Sequence, residues 1–130
     1  MNQYIDSLPD GDILCHFDFH PDNIIINNDK TTIIDWMTAS KGDFLSDIAR
    51  TSIILKYSDV PLKSKIIRKL INWIKIRIYT EYIKEYLKIS QAKIEDIDIW
   101  ELPIAAARLA EWIHKNEKER FFTQHYTCRS

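Results

Sequence analysis

Glycine is almost missing from this sequence. Gly11 and Gly42 are the only two in 130 residues, so no glycine-rich loop of the kind that covers nucleotide phosphates is present. Cysteine is equally sparse. Cys15 and Cys128 lie far apart with no CxxC spacing, which excludes a disulfide framework and a zinc site by arithmetic. A buried thiol and a tail thiol in a reducing cytoplasm account for both. Charge of one sign is also lacking. Eighteen Lys and Arg against nineteen Asp and Glu give a net charge of −1, and no dense basic block stands out, so nucleic acid is not an expected partner. No uncharged apolar run approaches membrane-spanning length. The first residues hold no basic region followed by an apolar stretch, so a secretory signal is not expected. The expected location is the cytoplasm. There is no internal repeat and no low-complexity segment.

What remains is an ordinary globular balance, 45% hydrophobic and 28% charged, in a length that suits one domain with one core. Residues 8–12, LPDGD, read as a turn. Ile13, Leu14 and Cys15 follow as a candidate strand. Residues 24–26 are a β-branched run, residues 27–30 a turn, and residues 31–34 resume the β pattern, so the segment reads as a hairpin. After Trp36, which reads as core, the period changes to helical. Asp43 is placed to cap a helix beginning near Phe44, with Leu45, Ile48, Ala49, Ile53 and Ile54 on its inner face. Pro61 is expected to open a long helix with Ile67, Leu70, Ile71, Ile74 and Ile78 inward. Tyr82, Ile83, Tyr86 and Leu87 continue that stripe. Its interleaved lysines read as a solvated face rather than a membrane-binding one. Residues 90–101 form an acidic connector or helix start. Pro103 starts or kinks a further helix, with Ile104, Ala107, Leu109, Ala110 and Ile113 inward. The acidic residues Glu95, Asp96, Asp98 and Glu101 read as a solvated face. The fold class expected is α+β, mainly helical.

The chemistry is concentrated in HFDFHPDNIIINNDKTTIIDWMTASKGDFLSDIAR, residues 16–50. Asp18 and Asn23 lie in the loop before the first hairpin strand. Asp35 lies at the exit of the second. A hairpin brings its two ends together, so Asn23 and Asp35 should converge, with Asp18 nearby. Such a cluster offers the carboxylate and amide oxygens that Mg²⁺ prefers. It also leaves a carboxylate to orient a hydroxyl, and phosphoryl transfer uses both parts.

His16-x-Asp18-x-x-x-x-Asn23, followed by Ile34-Asp35-Trp36, Gly42-Asp43 and Asp47-Ile48-Ala49, resembles the catalytic and metal loops of the aminoglycoside phosphotransferase and choline kinase family. The order matches that family's small-molecule branch more closely than the H-R-D-x-x-x-x-N and D-F-G elements of protein kinases. The resemblance is sharp over residues 13–50 and diffuse beyond. It implies the C-terminal lobe of a protein kinase-like fold, with residues 13–36 as catalytic loop and metal-loop hairpin and residues 43–130 as a helical subdomain. It further implies Asp18 as catalytic base, Asn23 and Asp35 as Mg²⁺ ligands, and His16 and Asp47 as structural supports of the loop. His20 is a candidate substrate contact. Asp22 stands where the family usually has glycine. The implied cofactors are Mg²⁺ and ATP, and the implied partner is a small molecule bearing a hydroxyl.

Only 15 residues precede His16, so the nucleotide-binding lobe with its phosphate lysine is not expected in this chain. The reading is therefore an ATP-dependent small-molecule kinase represented by its C-lobe and inactive alone. The alternative is a catalytically dead remnant serving as an interaction module. A homodimer covering the surface left by missing elements is the expected assembly.

Overall fold

Asp43 divides the chain into a loop-and-strand half and a helical half. Its backbone is extended, and its Oδ1 accepts the Leu45 N–H at 2.8 Å, which fixes the start of a helix at Phe44. The computed structural model describes residues 2–110. Before Asp43 lie a short helix α1 (Asn2–Asp6), strand β1 (Ile13–Cys15), a 3₁₀ turn (Pro21–Asn23), strands β2 (Ile24–Asn27) and β3 (Lys30–Ile33), a second 3₁₀ turn (Trp36–Thr38) and strand β4 (Ser40–Gly42). After it come α2 (Phe44–Tyr57), α3 (Lys65–Ser90) and α4 (Ile94–Ala110). The architecture is α+β and mainly helical.

The expected hairpin is β2–β3, antiparallel, with Ile24 opposite Ile33 and Asn27 opposite Lys30. Asn28 at its tip has φ 50°, the left-handed region that asparagine tolerates better than most residues. A second ladder, β1 with β4, was not legible beforehand. It pairs Ile13 with Gly42 and Cys15 with Ser40. Polar Ser40-Lys41-Gly42 has no strand signature of its own; the partner strand recruits it.

Helix α2 is buried nearly all round. Ile48, Ala49 and Ile53 are inside as expected, but so are Ser46, Arg50, Thr51 and Tyr57. Both α3 and α4 pack on it. Ile48 and Ala49 meet Ile83 of α3 and Ile97 of α4, while Ile53 and Tyr57 meet Ala105 of α4. Lys56 of α2 is paired with Glu101 of α4 in the same contact.

Two expectations for α3 fail. Pro61 does not open it; the helix starts at Lys65, with Ser64 as cap, and Pro61 sits in the linker. The stripe is also only half used. Ile83 is buried, and Tyr82, Tyr86 and Leu87 pack on the core, but Ile67, Leu70, Ile74 and Ile78 are exposed. Length explains this. At 1.5 Å per residue the 26-residue α3 spans about 39 Å, against about 21 Å for the 14-residue α2. Phe44 at the start of α2 stacks on Tyr86 near the end of α3, so α3 outruns its partner at its own beginning.

Helix α4 begins at Ile94, nine residues before Pro103, which lies inside it. Proline has no N–H to donate to the carbonyl four residues back. That carbonyl belongs to Ile99, and Tyr4 of α1 donates its hydroxyl to it at 2.6 Å. The helix therefore tolerates its proline, and α1 is tied down by the same bond. Ala107 faces solvent rather than inward. Ile113, His114, His125 and Cys128 lie outside the described residues.

Candidate active site

The loop from His16 to Asn23 is held from three sides. From below, Asp47 of α2 accepts two backbone N–H groups, His16 at 3.0 Å and Phe17 at 2.8 Å. From the same helix, one turn on, the Arg50 guanidinium donates to the Phe17 carbonyl. From the second 3₁₀ turn, Thr38 donates its hydroxyl to the His16 carbonyl at 2.9 Å. Phe17 needs this grip, because its φ of 58° lies in the left-handed region that costs an ordinary residue ~1–2 kcal/mol.

His16 is buried and bonds through both ring nitrogens. Nδ1 accepts the Asp18 N–H at 3.2 Å, so Nε2 carries the proton and donates to the Ile34 carbonyl at 2.9 Å. The imidazole therefore ties the loop to the far end of the hairpin. The Trp36 ring lies 4.6 Å from it, and the indole N–H donates to the Ile33 carbonyl at 3.0 Å. Trp36 is nonetheless 46% exposed. It leans on His16 rather than filling the core, contrary to the sequence reading.

Asp18 and Asn23 are brought into direct contact. The Asn23 side-chain N–H group donates to the Asp18 carbonyl at 2.8 Å and to its carboxylate Oδ2 at 3.1 Å. Asn23 is buried, and these bonds orient its amide so that Oδ1 remains as the acceptor. His20 joins them. Its Nε2 lies 3.5 Å from Asp18 Oδ2 and 3.3 Å from Asn23 Nδ2, and its Nδ1 is 3.7 Å from Asp22.

Asp35 is placed by the hairpin. The Ile34 N–H donates to the Asn23 carbonyl at 2.9 Å, so Asp35 follows one residue beyond that closure. It has φ 58° and ψ 64°, again left-handed, and its side chain is exposed. The structure thus joins Asp18 to Asn23 side chain to side chain, while Asp35 is joined to them through the backbone. Among the described residues no cluster of three or more His, Cys, Asp or Glu is built to hold a metal. Two protein oxygens, one amide and one carboxylate, suit a cation that keeps water and phosphate oxygens as its other ligands.

The ground beneath the loop is kept neutral. Burial pushes the Tyr82 phenol well above its usual range, and burial followed by the nearby Asp47 and Asp43 carboxylates raises Tyr86 and the Cys15 thiol as well. Tyr82 also meets Phe19 of the loop, 5.8 Å between ring centres. Sequence reasoning missed Arg50 and Thr38 as supports of the loop. Arg50 had a signal, because it stands three residues after Asp47 and so shares its helix face. Thr38 had none.

A family model described as the phosphotransferase enzyme family matches residues 2–73, the span from α1 into the first turns of α3. No curated protein and no solved structure matches the chain. The matched span includes every loop residue described above and more than half of the sequence, and the chain belongs to the phosphotransferase enzyme family.

Proposed function

We propose that this chain carries the catalytic loop of an ATP-dependent small-molecule kinase that phosphorylates a hydroxyl. In this reading the fold is the C-terminal lobe of a protein kinase-like enzyme. The observation that carries it is the Asp18–Asn23 contact, clamped from beneath by Asp47 and set beside the hairpin exit at Asp35.

Asp18 takes the role of base. Its backbone is fixed by His16, one carboxylate oxygen is occupied by Asn23, and its side chain is about a third exposed. It accepts the proton of the acceptor hydroxyl as that oxygen attacks the γ-phosphorus. The new O–P bond forms while the bond to the β,γ-bridging oxygen breaks, and the electron pair leaves on ADP. Asn23 through Oδ1 and Asp35 through its carboxylate would hold Mg²⁺. When bound, the ion neutralises charge on the phosphates. His16 fixes the distance between the two loops, and Asp47 with Arg50 fixes the backbone that presents Asp18.

The test uses the chain itself. Mn²⁺, a paramagnetic stand-in for Mg²⁺, is titrated into the ¹⁵N-labelled protein. The amides of Asn23, Ile34 and Asp35 should broaden first, and Asp35→Asn should abolish the effect. This variant keeps a side chain that tolerates the left-handed backbone. Broadening spread evenly over the acidic surface, or unchanged in Asp35→Asn, would overturn the reading.

A further inference from the structure

Beside the candidate base runs an apolar groove that the step above does not use. Ile54 and Leu55 of α2, both buried, form its floor, and Ile71, Ile74 and Ile78 of α3 form its far wall. The near wall is the turn His20-Pro21-Asp22, the stretch between Asp18 and Asn23. Its volume is about 240 Å³, below the ~300–1,000 Å³ that holds a drug-sized ligand.

We propose that this groove receives the body of the phosphoryl acceptor, and that the acceptor is a compact, uncharged, apolar alcohol rather than a polycation. The proposal rests on the phosphotransfer reading and names the substrate class for that site. Position is the first argument. His20, in the groove wall, has its Nε2 3.5 Å from the Asp18 carboxylate, so a molecule lying along that wall ends at the candidate base. Charge is the second. The one carboxylate in the lining is Asp22, whose side chain is 94% exposed and therefore solvated. The lining also contains the Lys75 ammonium, which donates to the Ser58 carbonyl and hydroxyl. A substrate carrying several ammonium groups meets no buried carboxylate there and is repelled by a lysine. An alcohol with an apolar body buries it against isoleucine and leucine, and its one polar group stays at the loop.

The experiment follows the isoleucine methyl resonances of the full 130-residue chain during titration with 2-phenylethanol and, separately, with kanamycin as the polycationic alcohol. The methyls of Ile54, Ile71, Ile74 and Ile78 should shift with 2-phenylethanol along one isotherm, with a Kd of about 1 mM. Those of Ile25 and Ile26 on the exposed hairpin should not move. Ile74→Lys should weaken binding about tenfold by placing a charge in the groove. Ile74 is 42% exposed, so the fold is expected to survive, and Ile78→Glu is a second variant of the same kind. Tighter binding of kanamycin at the same methyls would overturn the proposal. So would equal shifts at the hairpin isoleucines, unchanged affinity in both variants, or a groove silent to both ligands. A silent groove with the Mn²⁺ broadening intact overturns the groove alone. Alcohol binding without that broadening overturns the phosphotransfer reading, and the acceptor assignment with it.

Discussion

Removing the Asp47 carboxylate tests whether the catalytic loop is held as described. Asp47→Ala leaves two N–H groups, those of His16 and Phe17, without their acceptor. Hydrogen bonds to a charged group contribute ~1.5–3 kcal/mol each, so the gross loss is about 3–6 kcal/mol. His16 is 4% exposed, and water cannot readily replace the lost acceptor there. Phe17 can relax, because leaving its left-handed backbone recovers ~1–2 kcal/mol. The net cost should be about 2–4 kcal/mol, a large share of the ~5–15 kcal/mol that stabilises a typical domain. Asp47→Asn keeps one neutral acceptor oxygen and should lose about half as much. Urea denaturation followed by circular dichroism measures both. With a slope of ~1–3 kcal/mol per molar, the Asp47→Ala midpoint should fall by about 1–2 M. The amides of His16, Phe17 and Asp18 should shift in the spectrum of the folded variant, with those of α4 unmoved. A midpoint within about 0.3 M of the parent, or an asparagine variant as damaged as the alanine one, would refute the reasoning.

Gly11 should resist substitution for lack of room, since a Cβ there collides with the backbone of Gly42 and Asp43. Gly11→Ala is expected to cost ~1–3 kcal/mol, read as a lowered urea midpoint, and an unchanged midpoint would contradict the packing. The chain should also lose stability on the alkaline side. Burial raises Tyr82, Tyr86 and Cys15, and Lys56 is raised too, because Glu101 outweighs its burial. Each group then holds its proton more tightly folded than unfolded, so their contribution is complete below the unfolded values of ~8.5–10.4 and is lost as pH rises through the folded ones. Urea midpoints compared at pH 7 and pH 10 check this, and equal midpoints would contradict it.

Much of the candidate site was legible because its elements are local. Asp43 caps α2 through a bond two residues away, and the Ile24–Ile33 pairing follows from one apolar run, one turn and another run. The relation of Asp18 to Asn23 is equally short-range, five residues apart in one loop. Gly11 was read as a turn residue, but no glycine has positive φ, and space decides its identity instead. Trp36 was read as core because large aromatic rings are usually buried. Its ring instead covers His16, an arrangement that depends on where the hairpin exit folds back.

The sequence by itself determined the element types, the order of the loops and the residues that meet within a few positions of one another. Period, capping and turn chemistry are written over short stretches, and their energies do not wait for the rest of the chain. The tertiary structure alone decided the β1–β4 ladder, the Arg50 and Thr38 bonds to the loop and the Tyr4 bond that relieves Pro103. It also decided which half of the α3 stripe is covered, because burial requires a partner, and α2 ends before α3 does.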